Sequence, residues 1–461
     1  MTLDASAPLE VDPLIDDPAT RIIVCCGAGG VGKTTTAAAL GVRAAERGRK
    51  VVVLTIDPAR RLAQSMGIDS LDNTPRRVKG IEDRAGASPG ESTEGGGRRA
   101  GELHAMMLDM KRTFDEIVEA HADPERARAI LGNPFYQSLS AGFAGTQEYM
   151  AMEKLGQLRA RDEWDLIIVD TPPSRSALDF LDAPKRLGSF LDGKFIKLLM
   201  APAKMGGRAG MKFLNVGMSM MTGTLGKLLG GQLLRDVQTF VAAMDTMFGG
   251  FRTRADATYR LLQAPGTAFV VVAAPERDAL REAAYFVQRL AAENMPLAGL
   301  VLNRVHASGA SKLSAERALA AAENLDEGGI VDQTSGKTGV RDATAASPSP
   351  GSPAAHHTPG TDPAPESHAE AGPEAQLTDD QQMTHDQQTS RQLTAGLLRL
   401  HAERMQVLAR EQRTRDRFTA LHPEVAVAEV AALPGDVHDL AGLRAIGDRL
   451  ATGGRTPVGA A

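Results

Sequence analysis

The residues best equipped for chemistry form one unbroken stretch, Gly27-Ala28-Gly29-Gly30-Val31-Gly32-Lys33-Thr34-Thr35. Its spacing, G-x-x-x-x-G-K-T, is that of a phosphate-binding loop, in which glycines let successive backbone N–H groups turn inward on phosphates. A helix opening at the lysine adds the positive end of its dipole. In such a loop Lys33 sits on the β- and γ-phosphates and Thr34 coordinates Mg²⁺. The alternative, a plain glycine turn, does not require a strand before it and a helix after it, and this stretch has both. The spacing therefore predicts a nucleoside triphosphate site.

Two aspartates stand where such a site needs acids. Trp164-Asp165-Leu166-Ile167-Ile168-Val169-Asp170-Thr171-Pro172-Pro173 is an apolar run ending in a carboxylate, the pattern of a Walker B strand whose aspartate holds the Mg²⁺ water shell beside the phosphate loop. Asp57 follows Lys50–Thr55 and precedes Pro58. That position suits a ligand at the carboxyl end of a parallel strand and equally well a helix N-cap.

These groups need elements to carry them. Arg21–Cys26 and Lys50–Thr55 read as buried β-branched strands, with a helix from Thr36 to Ala45 after the loop. His104–Asp109 reads as another strand, Lys111–Ala120 and Asp123–Leu131 as helices, and Gly145-Thr146-Gln147-Glu148 starts a helix to about Arg161 with Thr146 as its N-cap. Further strands are expected at Thr267–Glu276, Leu300–Arg304 and Val425–Val430, and further helices at Ala279–Glu293, Arg391–Leu421 and Asp439–Leu450. In the helix from Arg391, Leu393, Leu397, Leu400 and Leu408 are the residues available to pack.

Composition narrows the classes. A chain of 461 residues with 43% hydrophobic content can bury a sizeable core, and a net charge of −5 offers no basic face for nucleic acid. Cys25 and Cys26 are the two cysteines, adjacent in the first strand, so neither a disulfide framework nor a zinc-binding pair is available. Residues 1–20 are acidic and proline-containing, unlike a signal peptide, and no apolar run spans a bilayer. The expectation is a cytoplasmic protein. Residues 1–20, 82–101 and 324–390 read as disordered, the last carrying seven prolines between Ala343 and Glu374, and 451–461 reads as a flexible tail. His356 and His357 lack partners at ligand spacing.

Together, Gly-Gly-Val-Gly-Lys-Thr-Thr, Asp57-Pro58-Ala59 and Asp170-Thr171-Pro172-Pro173 resemble the ArsA family, which includes arsenite-pump ATPases and ATPases that deliver tail-anchored membrane proteins. The resemblance runs from Arg21 to about Leu450 outside two insertions and is nearest to one member of the paired ArsA-like ATPases of actinobacteria. It implies an α/β fold, a P-loop NTPase of the deviant Walker A type with a mostly parallel sheet flanked by helices, spanning 21–450 and including a helical subdomain at 178–262. It also implies Mg-ATP hydrolysis and dimers that sandwich nucleotide. Carried over, Gly29, Gly30, Val31, Gly32, Lys33, Thr34 and Thr35 bind nucleotide, with Thr35 on the α-phosphate. Asp57 polarises the attacking water in switch I, and Asp170 holds a magnesium-bound water. Lys33 and Asp57 are the catalytic pair, Thr34, Asp57 and Asp170 the metal group. Asn303, which otherwise reads as a turn asparagine, helps recognise the base.

Departures from the family pattern carry information. The family's loop has a signature lysine two residues after the first strand, and this chain has Ala28. The His-Ser after Asp-Pro-Ala becomes Arg60-Arg61, and the Gly-His of switch II becomes Arg175-Ser176. A lysine acting across a dimer is missing from both sites of a homodimer, so the expected partner is a lysine-bearing paralogue in a heterodimer. The zinc-binding cysteines of the tail-anchored branch are absent, and no cysteine outside the first strand could hold arsenite. Residues 178–262 hold Met200, Met205, Met211, Met218, Met220, Met221, Met244 and Met247. Methionine suits a groove for a hydrophobic client, such as a membrane protein segment, and equally an ordinary core. Two functions remain open: an Mg-ATPase that couples nucleotide state to dimer rearrangement, or a nucleotide-binding regulatory subunit with little turnover. A septum-site or partition ATPase fits poorly, since the tail has no amphipathic membrane helix.

Overall fold

The computed structural model describes residues 7–56, 61–81, 101–134, 136–137, 140, 146–172, 250, 253–327 and 379–452. It forms two compact units, Met1–Ala307 with Ala409–Ala461, and Ser308–Leu408.

The first unit is built on one sheet of eight strands: β1 Ile22–Gly27, β2 Lys50–Thr55, β3 Arg76–Arg77, β4 Glu102–Met107, β5 Leu166–Asp170, β6 Thr267–Ala273, β7 Leu297–Val305 and β8 Val427–Ala431. Their order is β3-β4-β2-β5-β1-β6-β7-β8, and every pairing is parallel except β3 with β4. The apolar runs of β1, β2, β5 and β6 are buried along nearly their whole length, as a sheet covered on both faces requires. The two-residue β3 is an addition that no hydrophobic pattern in Arg76-Arg77 announces.

Alternation along the strands divides the core in two. Ile22, Val24, Val52, Leu54, Ile167 and Val169 face large side chains, among them Phe114, Tyr136, Tyr149, Trp164 and Phe286. Ile23, Cys25, Val51, Val53 and Ile168 face a layer of alanine and aliphatic residues that, among the described residues, has no aromatic ring. On that side the helix Lys33–Glu46 lies close to the sheet at Gly41, where a Cβ would come 2.7 Å from Val53 Cγ2. The helix Leu440–Ala451, N-capped by Asp439, packs on it with Gly447 at their contact.

Residues 7–20 correct the expected disorder of 1–20. Val11–Asp16 is a helix with Val11 and Ile15 buried, anchored by bidentate Arg43–Asp12 bonding and by Arg47–Asp16. Arg49 donates to the carbonyls of Ile15, Asp17 and Thr20 from the other side. The acidic residues that make this segment look solvated are the groups that fasten it to basic helix residues.

On the opposite face, Thr146–Ala160 is buried almost all round its middle turns, including Glu153 and Lys154. Buried charges need partners. Arg254, in helical residues 253–263, donates to Glu153 at 2.7 Å, as does Tyr149 OH at 3.1 Å, and Lys154 pairs with Glu116 at 2.9 Å.

The second unit holds the helix Ala315–Glu327 and the residues of Asp379–Leu421 up to Leu408. Both helices extend into the expected 324–390 insertion, so its edges lie further in. Ala318, Ala322, Ala395 and Ala402 are the buried side chains, with an Arg399–Asp326 ion pair and His401 Nε2 donating to Leu313 O at 2.8 Å. Leu393, Leu397 and Leu400 are 63–66% exposed, the reverse of the packing expected for them. Among the described residues no helix is long and apolar enough to cross a membrane. The expected segments 82–101, except for 101, and 178–262, except for 250 and 253–262, lie outside the described residues, as do Arg60, Arg175, Ser176 and the tail from 453.

Candidate functional site

Strand β1 ends at the centre of the sheet between β5 and β6, and its chain leaves the carboxyl edge as the Gly27–Thr35 loop. Ligands of open α/β sheets collect at this edge, where neighbouring connections depart to opposite faces. The glycines are required by geometry. At Gly27 a Cβ would lie 2.0 Å from Val272 O, so β6 presses directly on the start of the loop. Gly30 and Gly32 sit at φ +76° and +95°, in the left-handed region that side chains resist. Gly32 is also the N-cap of Lys33–Glu46 and has no side chain to offer the helix's first N–H groups. Those donors and the helix dipole point at the loop.

Lys33 is buried, and its Nζ donates to Ala28 O at 2.7 Å, across the loop that it follows. Ala28 is itself buried. Gly29 and Gly30 are exposed at the tip, Val31 is buried, and Thr35 is half-buried.

The carboxyl edge brings three strands into register here: Cys25 of β1 and Thr55 of β2 both pair with Asp170 of β5. Asp170 is fully buried, and its Oδ2 accepts from Thr34 Oγ1 at 2.7 Å and from Thr55 Oγ1 at 2.9 Å. The structure thus joins a threonine of the helix's first turn to the aspartate that ends β5. Thr171 donates its hydroxyl to Cys25 O at 2.9 Å, tying the chain that leaves β5 back to β1. Beyond β2, Ile56 N donates to Asp170 O at 3.0 Å, and Gln147 Nε2 donates to Ile56 O at 2.9 Å. Asp57 lies one residue past this point, outside the described residues.

Two hydroxyls join the site that its motif spacing does not announce. Thr55 could have been found from its place as the last residue of a strand that leads to Asp57. Thr171 sits inside the Asp-Thr-Pro-Pro motif, but only the pairing of β1 with β5 gives it Cys25 O as a partner.

The surroundings keep the cysteines inert. Burial pushes the Cys26 thiol up to about 12, and burial, with the Asp170 charge adding to it, raises Cys25 well above its ordinary value. Burial and a raised pKa both disfavour the thiolate, the form that attacks or ligates.

Asn303, near the end of β7, reaches the loop over the carboxyl end of β6. Its Nδ2 donates to Val31 O at 2.8 Å, and its Oδ1 accepts from Arg304 N at 3.0 Å.

Comparison with known proteins agrees with this arrangement. The sequence profile of the anion-transporting ATPases (ArsA_ATPase) matches residues 20–325. The ATPase GET3 of Malassezia globosa is 27% identical over 186 residues, 40% of this chain and 49% of that protein. The ATPase GET3 of Podospora anserina is 26% identical over 304 residues, 66% of this chain and 78% of its own length. That of Phaeosphaeria nodorum is 24% identical over 307 residues, 66% and 82% respectively. This chain therefore spans about half the length of the first relative and more than three quarters of the other two.

Proposed function

We propose, from the premise that this chain belongs to the anion-transporting ATPase (ArsA) family, that it binds Mg-ATP at the Gly27–Thr35 loop and hydrolyses it. The observation that carries the reading is the convergence of Thr34 and Thr55 on buried Asp170 beside the loop. Hydroxyl and carboxylate oxygens are the donor set a hard divalent cation takes, and the glycine positions leave room for phosphate oxygens against backbone N–H groups. Magnesium, when bound, neutralises charge that develops on the phosphoryl oxygens. The chain's own groups divide the remaining work. Loop N–H groups and Lys33 hold the phosphates, Thr35 contacts the α-phosphate, and Thr34 and Asp170 hold the cation and its water. Asp57 polarises the attacking water. Magnesium-dependent turnover by the purified chain tests the assignment, and unchanged turnover in Asp57→Asn would sink the role given to Asp57.

A second reading is supported by Ala28. With a buried methyl group where the family pattern has a lysine, this chain cannot supply a cation across a dimer to a partner's phosphates. It then acts as one subunit of a heterodimer with a lysine-bearing paralogue, or as a regulatory nucleotide-binding subunit with little turnover of its own. Hydrolysis and solution mass, measured on the chain alone and mixed with such a paralogue, separate these. Full turnover by a pure homodimer would end the heterodimer reading and turn attention to Arg60 and Arg61. The methionines between residues 200 and 247 supply the reasoning for a hydrophobic client. Photo-crosslinking from Met218 or Met244 that captured no apolar ligand would remove it.

A further inference from the structure

Asn303 is 6% exposed, and both ends of its carboxamide are committed. A carbonyl oxygen can only accept and a backbone N–H can only donate, so Val31 O requires the nitrogen end of the amide and Arg304 N requires the oxygen end. The orientation of the side chain is fixed twice over.

The backbone is shaped to make this possible. Arg304 lies at φ +62°, a conformation a non-glycine residue seldom adopts, and the β7–β8 register shifts between Asn303 and Val305. This is a bulge of the kind that re-aims a side chain. Here it turns the Arg304 N–H onto Asn303 Oδ1. On the other side, a Cβ at Gly32 would lie 2.3 Å from Asn303 Nδ2, so the amide fills the space that glycine leaves.

Val31 C=O and Gly32 N–H belong to one peptide plane and point in opposite directions across it. Pinning the carbonyl toward Asn303 therefore aims the Gly32 N–H away from β7. We propose that Asn303 is a positioning residue of the phosphate loop, a latch that holds the Val31–Gly32 peptide in its anion-binding orientation whatever base the nucleotide carries. The inference rests on the reading of Gly27–Thr35 as a phosphate site and deepens it. One amide hydrogen and one lone pair of Asn303 remain for a base, so latching and base contact are compatible on one side chain.

The test uses a ligand without a base. Magnesium tripolyphosphate and Mg-ATP are titrated calorimetrically into the full chain and into Asn303→Ala and Asn303→Asp, with melting temperatures measured alongside. The aspartate keeps the side chain's size and covers the case in which alanine leaves a cavity that unfolds the protein. The latch predicts that both ligands weaken about tenfold or more, by similar factors, since loss of a hydrogen bond to a preorganised group is on that scale. It also predicts that variants which still melt close to the unaltered chain show the loss. Tripolyphosphate affinity unchanged while ATP weakens would overturn the latch and leave a base contact alone. Affinity losses that merely follow a fall in melting temperature would overturn it as well. Failure of the unaltered chain to bind either ligand would overturn the phosphate-site reading and the latch together.

Discussion

The two faces of the central sheet solve the packing problem in opposite ways. Among the described residues, one is lined with Ala37, Ala38, Ala39, Ala44 and Ala45 and carries no aromatic ring in its core, and the other is filled by Phe114, Tyr136, Tyr149, Trp164 and Phe286. Small side chains let the helix Lys33–Glu46 approach the sheet closely, as the tight fit at Gly41 shows. That helix begins at the phosphate loop, so short spacing and few rotamers give the loop a stiff foundation. The aromatic face holds its ion pairs within a helix that is buried almost all round: Glu153 with Arg254, and Lys154 with Glu116. It also carries the helices nearest in sequence to residues 173–249. The lesson is that close helix-to-sheet packing is kept on the side that carries the loop, where the ion pairs lie at the helix's outer edge, and large side chains with the Glu153–Arg254 and Lys154–Glu116 pairs are kept on the other.

The sharpest contrast is functional. Lys33→Ala removes a cation and its bond to Ala28 O but no apolar core side chain, and turnover should fall by about a hundredfold or more, the scale of losing one charge-stabilising donor. The melting temperature should shift little. A fall in stability as large as that of a core truncation would show that Lys33 holds the fold rather than the reaction.

Next come the cores themselves. Phe286→Ala opens a cavity on the aromatic face and should cost about 3–5 kcal/mol in urea unfolding, the usual price of deleting a buried phenyl ring. Gly41→Val overpacks the other face against Val53 and should cost about 1–3 kcal/mol. Because Gly41 lies on the helix that carries the loop, Gly41→Val should also weaken nucleotide binding, whereas Phe286→Ala should leave it near normal. Equal effects on binding would break the division between the faces.

A smaller effect is expected at the buried ion pair. Glu153→Gln leaves Arg254 facing a neutral amide and should cost about 2–3 kcal/mol, toward the low end for broken buried pairs because the Arg254 side chain is 29% exposed. The double change Glu153→Met with Arg254→Met should recover much of that loss.

A pH dependence confined to the alkaline side of the curve is expected on the loop side. Both thiols titrate higher in the folded chain than in the unfolded one, so the folded state holds its protons longer. Their contribution is complete below the unfolded value near 9 and is lost as pH rises toward the folded value, about 12 for Cys26. Cys25→Ala with Cys26→Ala should flatten the alkaline limb of a stability-against-pH curve. Asp12 behaves in the opposite sense. Its hydrogen bonding to Arg43 holds the carboxyl below its ordinary value, so that contribution is present above about pH 4 and is lost on acidification.

Much of the site was readable because its chemistry is local in sequence. A loop that must turn backbone N–H groups inward needs glycines at fixed intervals, and Gly27, Gly30 and Gly32 stand where the backbone adopts the conformations only glycine tolerates easily. Asp170 was readable because an apolar run that ends in a carboxylate places it at a strand terminus. The strands themselves were legible from β-branched runs, since burial on both faces leaves no polar interruption. Harder to read were segments whose state depends on a distant partner. Residues 11–16 look like a solvated acidic tail until Arg43, Arg47 and Arg49 stand beside them. In the helix from Asp379, leucine and alanine stripes both repeat at helical spacing, and hydrophobicity favours the wrong one.

What the sequence determined by itself is the glycine-rich turn between β1 and its helix, the carboxylate that ends β5 and the parallel α/β class, because periodicity and glycine requirements act over a few residues. Tertiary structure alone decided that Thr55 and Thr34 meet on Asp170 and that Thr171 closes on Cys25. It alone placed Asn303 against Val31, residues 272 apart in the chain. Those contacts depend on strand order and on a one-residue register shift at Arg304. A hydrogen bond requires donor and acceptor to approach within a few tenths of an ångström of one distance, and only the assembled sheet sets that spacing.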